Sequence, residues 1–125
     1  MRRAFTDTLN KLGDENPRLM FLTGDLGFQL FDEFAAKHGP RYVNVGVAEA
    51  QLVCCAAGLA LEGWIPVCIF PRWNFLLLAA NQLVNHLDKI YSFSDKGYNP
   101  KVIIRTGIGS KRPLNPQKQH IGDFT

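Results

Sequence analysis

The sequence of 125 residues has little surplus charge, few cysteines and no long hydrocarbon run, and each shortage closes off a class of protein. Lysine and arginine number 14 against 11 aspartates and glutamates, a net +3, and no basic block exceeds two residues. That surplus is too small and scattered to argue a nucleic-acid or membrane partner. The three cysteines, Cys54, Cys55 and Cys68, include an adjacent pair. They can form neither a disulfide framework nor a spaced zinc set, and read as buried thiols of a reducing compartment, the cytoplasm. The longest stretch free of charged and amide side chains, Leu52–Leu61, has ten residues, about half of what a membrane-crossing helix needs. The start, Met1-Arg2-Arg3-Ala4-Phe5, lacks the apolar core of a signal peptide. Glycine (11) and proline (7) are scattered without a period, which excludes collagen-like repeats.

What remains is an ordinary globular balance, 46% hydrophobic and 20% charged, sized for one domain over residues 1–125. Phe5, Leu9 and Leu12 recur at helical spacing, so residues 3–12 read as a helix stopped by Gly13. Leu19–Leu22 reads as a buried strand running into the tight loop Thr23-Gly24-Asp25-Leu26-Gly27. A helix around Phe31–Ala35 closes at Gly39-Pro40, and Tyr42–Val45 is a brief strand. A helix follows from about Ala48 to Leu61, then a strand over Trp64–Phe70, a helix over Phe75–Lys89 and a strand over Lys101–Arg105. Residues 107–122 read as loop. Alternating strands and helices specify an α/β fold, a parallel sheet with helices on both faces. Ligands of such sheets bind beyond the carboxyl ends of the strands, here just after positions 23, 45, 70 and 105. The closing helix and strand are missing, so a fragment, or a subunit completed by another chain, is expected.

Two stretches are out of keeping with their surroundings. Between Arg41 and Glu62 the only charge is Glu49, set among Val43, Val45, Val47, Leu52 and Val53. A carboxylate in the first turn of a helix complements the helix dipole, which accounts for Glu49 without any function. The following helix, however, is apolar nearly all round and reads as buried. A carboxylate there must be paired or protonated, and no basic residue lies within a helical turn. A carboxyl kept partly protonated suits proton exchange with a ring nitrogen. The second stretch, Trp73–His86, carries no charge beyond a protonated His86, yet holds Asn74, Asn81, Gln82 and Asn85 among leucines and alanines. It suits either a subunit interface or a core helix with one wet edge.

Gly46-Val47-Ala48-Glu49 followed by Ala56-Ala57-Gly58-Leu59-Ala60-Leu61-Glu62-Gly63 resembles the pyrimidine-binding domain of transketolase-like thiamine-diphosphate enzymes. That superfamily includes transketolase, deoxyxylulose-phosphate synthase and the beta subunits of 2-oxo acid dehydrogenases. Further pieces agree in order: Gly24-Asp25-Leu26-Gly27, Arg41-Tyr42-Val43-Asn44, Asn74-Phe75, Gln82-Leu83-Val84-Asn85, Val102-Ile103-Ile104-Arg105 and Gln119-His120. The resemblance implies that Glu49 hydrogen-bonds the aminopyrimidine nitrogen of thiamine diphosphate. The imino tautomer this favours then removes the thiazolium proton. It further implies that Phe75 stacks on the pyrimidine, that His120 faces the substrate, and that Asp25 and Leu26 line the cofactor near its rings. Glu49 and His120 are thus the catalytic candidates, and Asp25, Leu26, Glu49 and Phe75 the cofactor-binding ones. No metal ligand is expected on this chain.

Ala50, Arg72 and Leu78 depart from the family pattern, and Arg72 is suited to an anionic substrate group. The family's diphosphate and Mg²⁺ site lies on another domain, marked by Gly-Asp-Gly and a later Asn. Gly24-Asp25-Leu26-Gly27 does not match it, and Asn44, 19 residues after Asp25, is too close. A diphosphate-binding partner chain is therefore implied, in a homo- or hetero-oligomer acting on a sugar or a 2-oxo acid. The expected function is ketol transfer of transketolase type. The alternatives are the beta-subunit part of a 2-oxo acid dehydrogenase and a non-catalytic assembly module. Gly107-Ile108-Gly109 lacks the third glycine of a dinucleotide fingerprint.

Overall fold

The segment Leu-Met-Phe-Leu-Thr at residues 19–23 is buried throughout, the pattern of a strand covered on both faces. The computed structural model describes residues 2–109 and 120–124. In it this segment is β1 (Leu19–Thr23), flanked by β2 (Tyr42–Asn44) and β3 (Ile65–Ile69), with β4 (Ile103–Arg105) beyond β3. All three pairings are parallel, as the α/β reading requires.

Side chains alternate across the sheet and divide the core in two. Leu19 and Phe21 of β1 join Val67 and Ile69 of β3 against Leu9 of α1 (Arg2–Glu15) and Phe34 of α2 (Asp32–His38). Met20, Leu22, Cys68 and Phe70 point the other way, onto Leu52, Val53 and Ala56 of α3 (Glu49–Leu61) and Leu76 of α4 (Trp73–Leu76). A π-helical turn (Gln82–Leu87) and α5 (Ile90–Phe93) complete the connection to β4.

Several boundaries differ from the sequence reading, each for a physical reason. Helix α1 runs through Gly13 to Glu15. A Cβ on Gly13 would stand 2.7 Å from both His38 Nε2 and Phe34, so this glycine permits close helix packing and is no stop signal. The helix expected over 75–89 is broken into α4, a 3₁₀ turn (Leu77–Ala79), the π turn and α5. The i→i−5 bond from Asp88 N–H to Leu83 C=O (3.0 Å) marks the widened turn, and Asn85 Nδ2 donates to Asn81 Oδ1 (2.9 Å) along its outside. Helix α3 is buried only at Leu52, Val53 and Ala56. Cys54 is exposed and Cys55 half-buried, so Cys68 alone is a buried thiol. Residues 110–119 of the expected loop, with Gln119 of the family pattern, lie outside the described residues. Among the described residues no helix is long and apolar enough to cross a membrane.

Candidate functional site

Register brings the strand ends into one row: Thr23 pairs with Asn44 and with Ile69, and Ile69 pairs with Arg105. The loops after all four strands therefore leave the sheet at the same level. The chain leaving β1 turns to the α2 face, and the chain leaving β3 turns to the α4 face. A crevice opens between adjacent strands whose connections part in this way. It holds a cavity of about 160 Å³ walled by Leu26, Gly27, Pro71, Arg72 and Arg105, among others.

On one side stand Asp25, Leu26 and the turn that carries Glu49. Asn44 joins them: its Oδ1 accepts from Asp25 N–H (2.9 Å) and from Gly46 N–H (3.0 Å). Val45 N–H donates to Thr23 C=O (2.9 Å), continuing the ladder past the strand ends. The loops touch so closely that a Cβ on Gly24 would lie 3.1 Å from Gly46 O. Gly46 has φ +77, which only glycine adopts at little cost, and Ala48 N–H closes the turn onto Gly46 C=O (2.9 Å). Glu49 is then the first residue of α3. It is half-buried, not enclosed by hydrocarbon as the sequence suggested, because the outer side of α3 is open. Among the described residues its carboxylate has no ion pair and no hydrogen bond. Asp25 is exposed and holds φ +54, a left-handed conformation uncommon outside glycine.

On the other side the structure brings Phe75 and His120 together, their rings edge to face with centroids 5.3 Å apart. Asn74 anchors this contact by accepting from Gly122 N–H (3.1 Å). Both rings are half-buried, and His120 Nδ1 is buried without a hydrogen-bond partner among the described residues. Arg72, just before α4, donates from Nη1 to Pro71 C=O (2.6 Å), while its Nε and the Thr106 hydroxyl are buried and have no partner among the described residues. Arg105 lies over the Phe5 ring, 4.7 Å from its centroid. No hydrogen bond or ion pair among the described residues joins Glu49 to Asp25, Phe75 or His120.

The two sides differ in electrostatics. Asp25, Asp32, Gln29 and Asn44 surround a polar hollow beside Tyr42. Burial, followed by the charges of Asp32 and Asp25, raises the Tyr42 phenol above its ordinary value. The Arg72 side is apolar and cationic. No group of three His, Cys, Asp or Glu side chains able to hold a metal occurs among the described residues. Sequence reasoning weighed Asn44 against the diphosphate motif and Asn74 among the amides of an uncharged helix, and missed what their side chains do. Their signal was an amide beside a strand end or a helix start, where it meets unpaired backbone groups.

A family model described as "Transketolase, pyrimidine binding domain" matches residues 1–113. Over 84 residues the chain is 36% identical to the 1-deoxy-D-xylulose-5-phosphate synthase of Trichormus variabilis, covering 66% of this chain and 13% of that protein. It is 28% identical over 120 residues to the pyruvate dehydrogenase E1 component subunit beta of Staurastrum punctulatum, covering 91% of this chain and 37% of that subunit. The chain thus spans well under half the length of these relatives. A solved structure titled "Split gene transketolase, inactive beta4 tetramer" superposes with a TM-score of 0.57 at 28% identity, over 84% of this chain and 33% of that one.

Proposed function

This chain belongs to the transketolase pyrimidine-binding domain family, and we propose that it forms the pyrimidine-binding half of a thiamine-diphosphate-dependent, transketolase-like enzyme. Family membership implies thiamine diphosphate binding. The observation that carries the reading is Glu49: a half-buried carboxylate without a partner among the described residues, fixed at the start of α3 on the strand-end row. Such a group is free to bond a ring nitrogen. When bound, the cofactor supplies carbanion chemistry that no side chain provides.

This chain's own residues bind and orient. Glu49 holds the proton shared with the pyrimidine. Phe75 offers an aromatic face to a flat ring, Asp25 and Leu26 line the cofactor, and His120 turns towards the substrate. The Nε of Arg72, without a partner among the described residues, suits an anionic substrate group, present in sugar phosphates and 2-oxo acids alike. The diphosphate and its Mg²⁺ we assign to a partner chain carrying the Gly-Asp-Gly…Asn pattern. An oligomer is consistent with the tetramer named for the structural relative.

Ketol transfer is the leading chemistry, on the Arg41–Glu49 segment. A 2-oxo acid dehydrogenase role is favoured by one observation, the longer match to the pyruvate dehydrogenase subunit. Both activities are to be assayed with the partner chain present. The expected result is ketol transfer that falls by about 10²–10⁴ in Glu49→Gln, the usual worth of a positioned proton-transfer group. Decarboxylation of a 2-oxo acid without ketol transfer would move the assignment to the dehydrogenase class. Activity unchanged in Glu49→Gln would identify an assembly module.

A further inference from the structure

We infer that Asn44 is a positioning residue whose single amide oxygen sets the cofactor-facing loop of β1 against the turn that aims Glu49. The inference rests on the functional reading above for what the two loops face, and on geometry alone for the clamp itself.

An amide oxygen has two lone pairs, and both are used here on backbone donors of different loops. The bond from Gly46 N–H (3.0 Å) closes a local turn two residues on, as asparagines commonly do. The bond from Asp25 N–H (2.9 Å) is of another kind, because it crosses 19 residues of sequence to the next loop. Asp25 needs it most. Its left-handed φ of +54 is unfavourable for a residue with a side chain and persists only where the surroundings hold it. The spacing is tight, since a Cβ added to Gly24 would lie only 3.1 Å from Gly46 O. Glu49 lies five residues beyond Asn44 and Leu26 one residue beyond Asp25. A loosened clamp would therefore move a proton-sharing carboxylate relative to the cofactor-lining loop, and placements wrong by about 1 Å cost reactions heavily. The side-chain NH₂ of Asn44 makes neither bond, so only the oxygen is required.

That requirement makes the test selective. Asn44→Leu removes the acceptor at similar bulk, whereas Asn44→Asp keeps an oxygen in the same place. Amide hydrogen exchange of the full chain is read at Asp25 and Gly46, with Phe21 and Leu22 as core controls. Asn44→Leu is expected to speed exchange at both loop amides about tenfold, the weight of one ordinary hydrogen bond, and to leave the core amides unchanged. Asn44→Asp is expected to restore protection. In the complex with the diphosphate-binding chain, Asn44→Leu is expected to raise the thiamine diphosphate concentration for half-saturation about tenfold, with Asn44→Asp close to wild type. Unchanged exchange at Asp25 in Asn44→Leu overturns the clamp. Faster exchange with unaltered half-saturation reduces Asn44 to a loop brace and overturns its positioning role. If Asn44→Leu also exposes the core amides, Asn44→Ala takes its place with the same expectations. A wild-type complex that takes up no cofactor would sink the functional reading, while the exchange result would still decide the clamp.

Discussion

The two helical layers of this sheet are finished in different ways. On the α1/α2 side the outer surface is charged and paired: Lys37 meets Asp14, Lys11 meets Glu15, and the buried His38 lies between Asp14 and Arg41. Beneath it Phe21 packs against Phe5, Phe31, Phe34 and Tyr42. On the α3/α4 side the core is mostly aliphatic, with Phe70 its one fully buried ring, and uncharged side chains face outward, among them Leu78, Val84 and Leu77, 63%, 58% and 46% exposed, beside Asn81 and Asn85. Among the described residues no ion pair lies on α3, α4 or the π turn; the nearest is the neighbouring pair Asp88–Lys89. The contrast teaches which layer meets water and which is suited to a partner. Glu49 begins α3 and Phe75 lies within α4, both in the second layer.

The sharpest way to break this contrast is to neutralise one carboxylate in each layer. Glu49→Gln should lower activity of the reconstituted complex by about 10²–10⁴ while shifting the chain's unfolding free energy by no more than about 0.5 kcal/mol. Asp14→Asn should leave turnover unchanged. Steady-state kinetics paired with denaturant unfolding reads both.

A second contrast sets core against surface. Phe34→Ala removes a ring that is 1% exposed and should cost about 3–5 kcal/mol of stability. Leu78→Asp should leave the isolated chain's stability within about 0.5 kcal/mol yet weaken assembly by about tenfold or more, as loss of a central apolar contact does. Sedimentation of the mixed chains measures the second effect. Normal assembly of Leu78→Asp would show that this face does not meet the partner.

Acid should act on the first layer. Burial, then Arg41, holds the His38 imidazole below its ordinary 6.5, outweighing the attraction of Asp14. The unfolded chain therefore takes up this proton first. Stability is complete above pH 6.5 and is lost as the pH falls from there through the folded value. Unfolding measured at stepped pH should show this slope, and His38→Gln should flatten it. Asp14, held below its ordinary value chiefly by its hydrogen bond with Lys37, adds its own loss only at lower pH. The smallest effect is one of thiol labelling. Exposed Cys54 should react readily, whereas the Cys68 thiol, pushed up to about 12 by burial, should stay inert until unfolding.

The fold was legible because its signals are local. Apolar runs such as Leu19–Leu22 and Val102–Ile104, glycines at the turns and the alternation of periods together specify a parallel sheet. The site was legible as a place, the carboxyl ends of the strands, and as a set of motifs in order. What escaped was tertiary. Gly13 looked like a stop until Phe34 and His38 were seen against it. Cys54 looked buried because an apolar helix open on one side has the same composition as an enclosed one. The break at Gln82–Leu87 has no propensity signal, since its residues are adequate α-helix formers. Asn44 was invisible as a clamp because its second donor, Asp25, is distant in sequence.

The central claim, that Glu49 shares a proton with the cofactor's pyrimidine, is tested most directly by nitrogen NMR. Thiamine diphosphate labelled at the pyrimidine ring nitrogen would be bound to the complex of this chain with its diphosphate-binding partner. The account predicts a resonance moved far towards that of a protonated nitrogen with the wild-type chain, and a return towards the free-cofactor position with Glu49→Gln. The same resonance position in both complexes would contradict it.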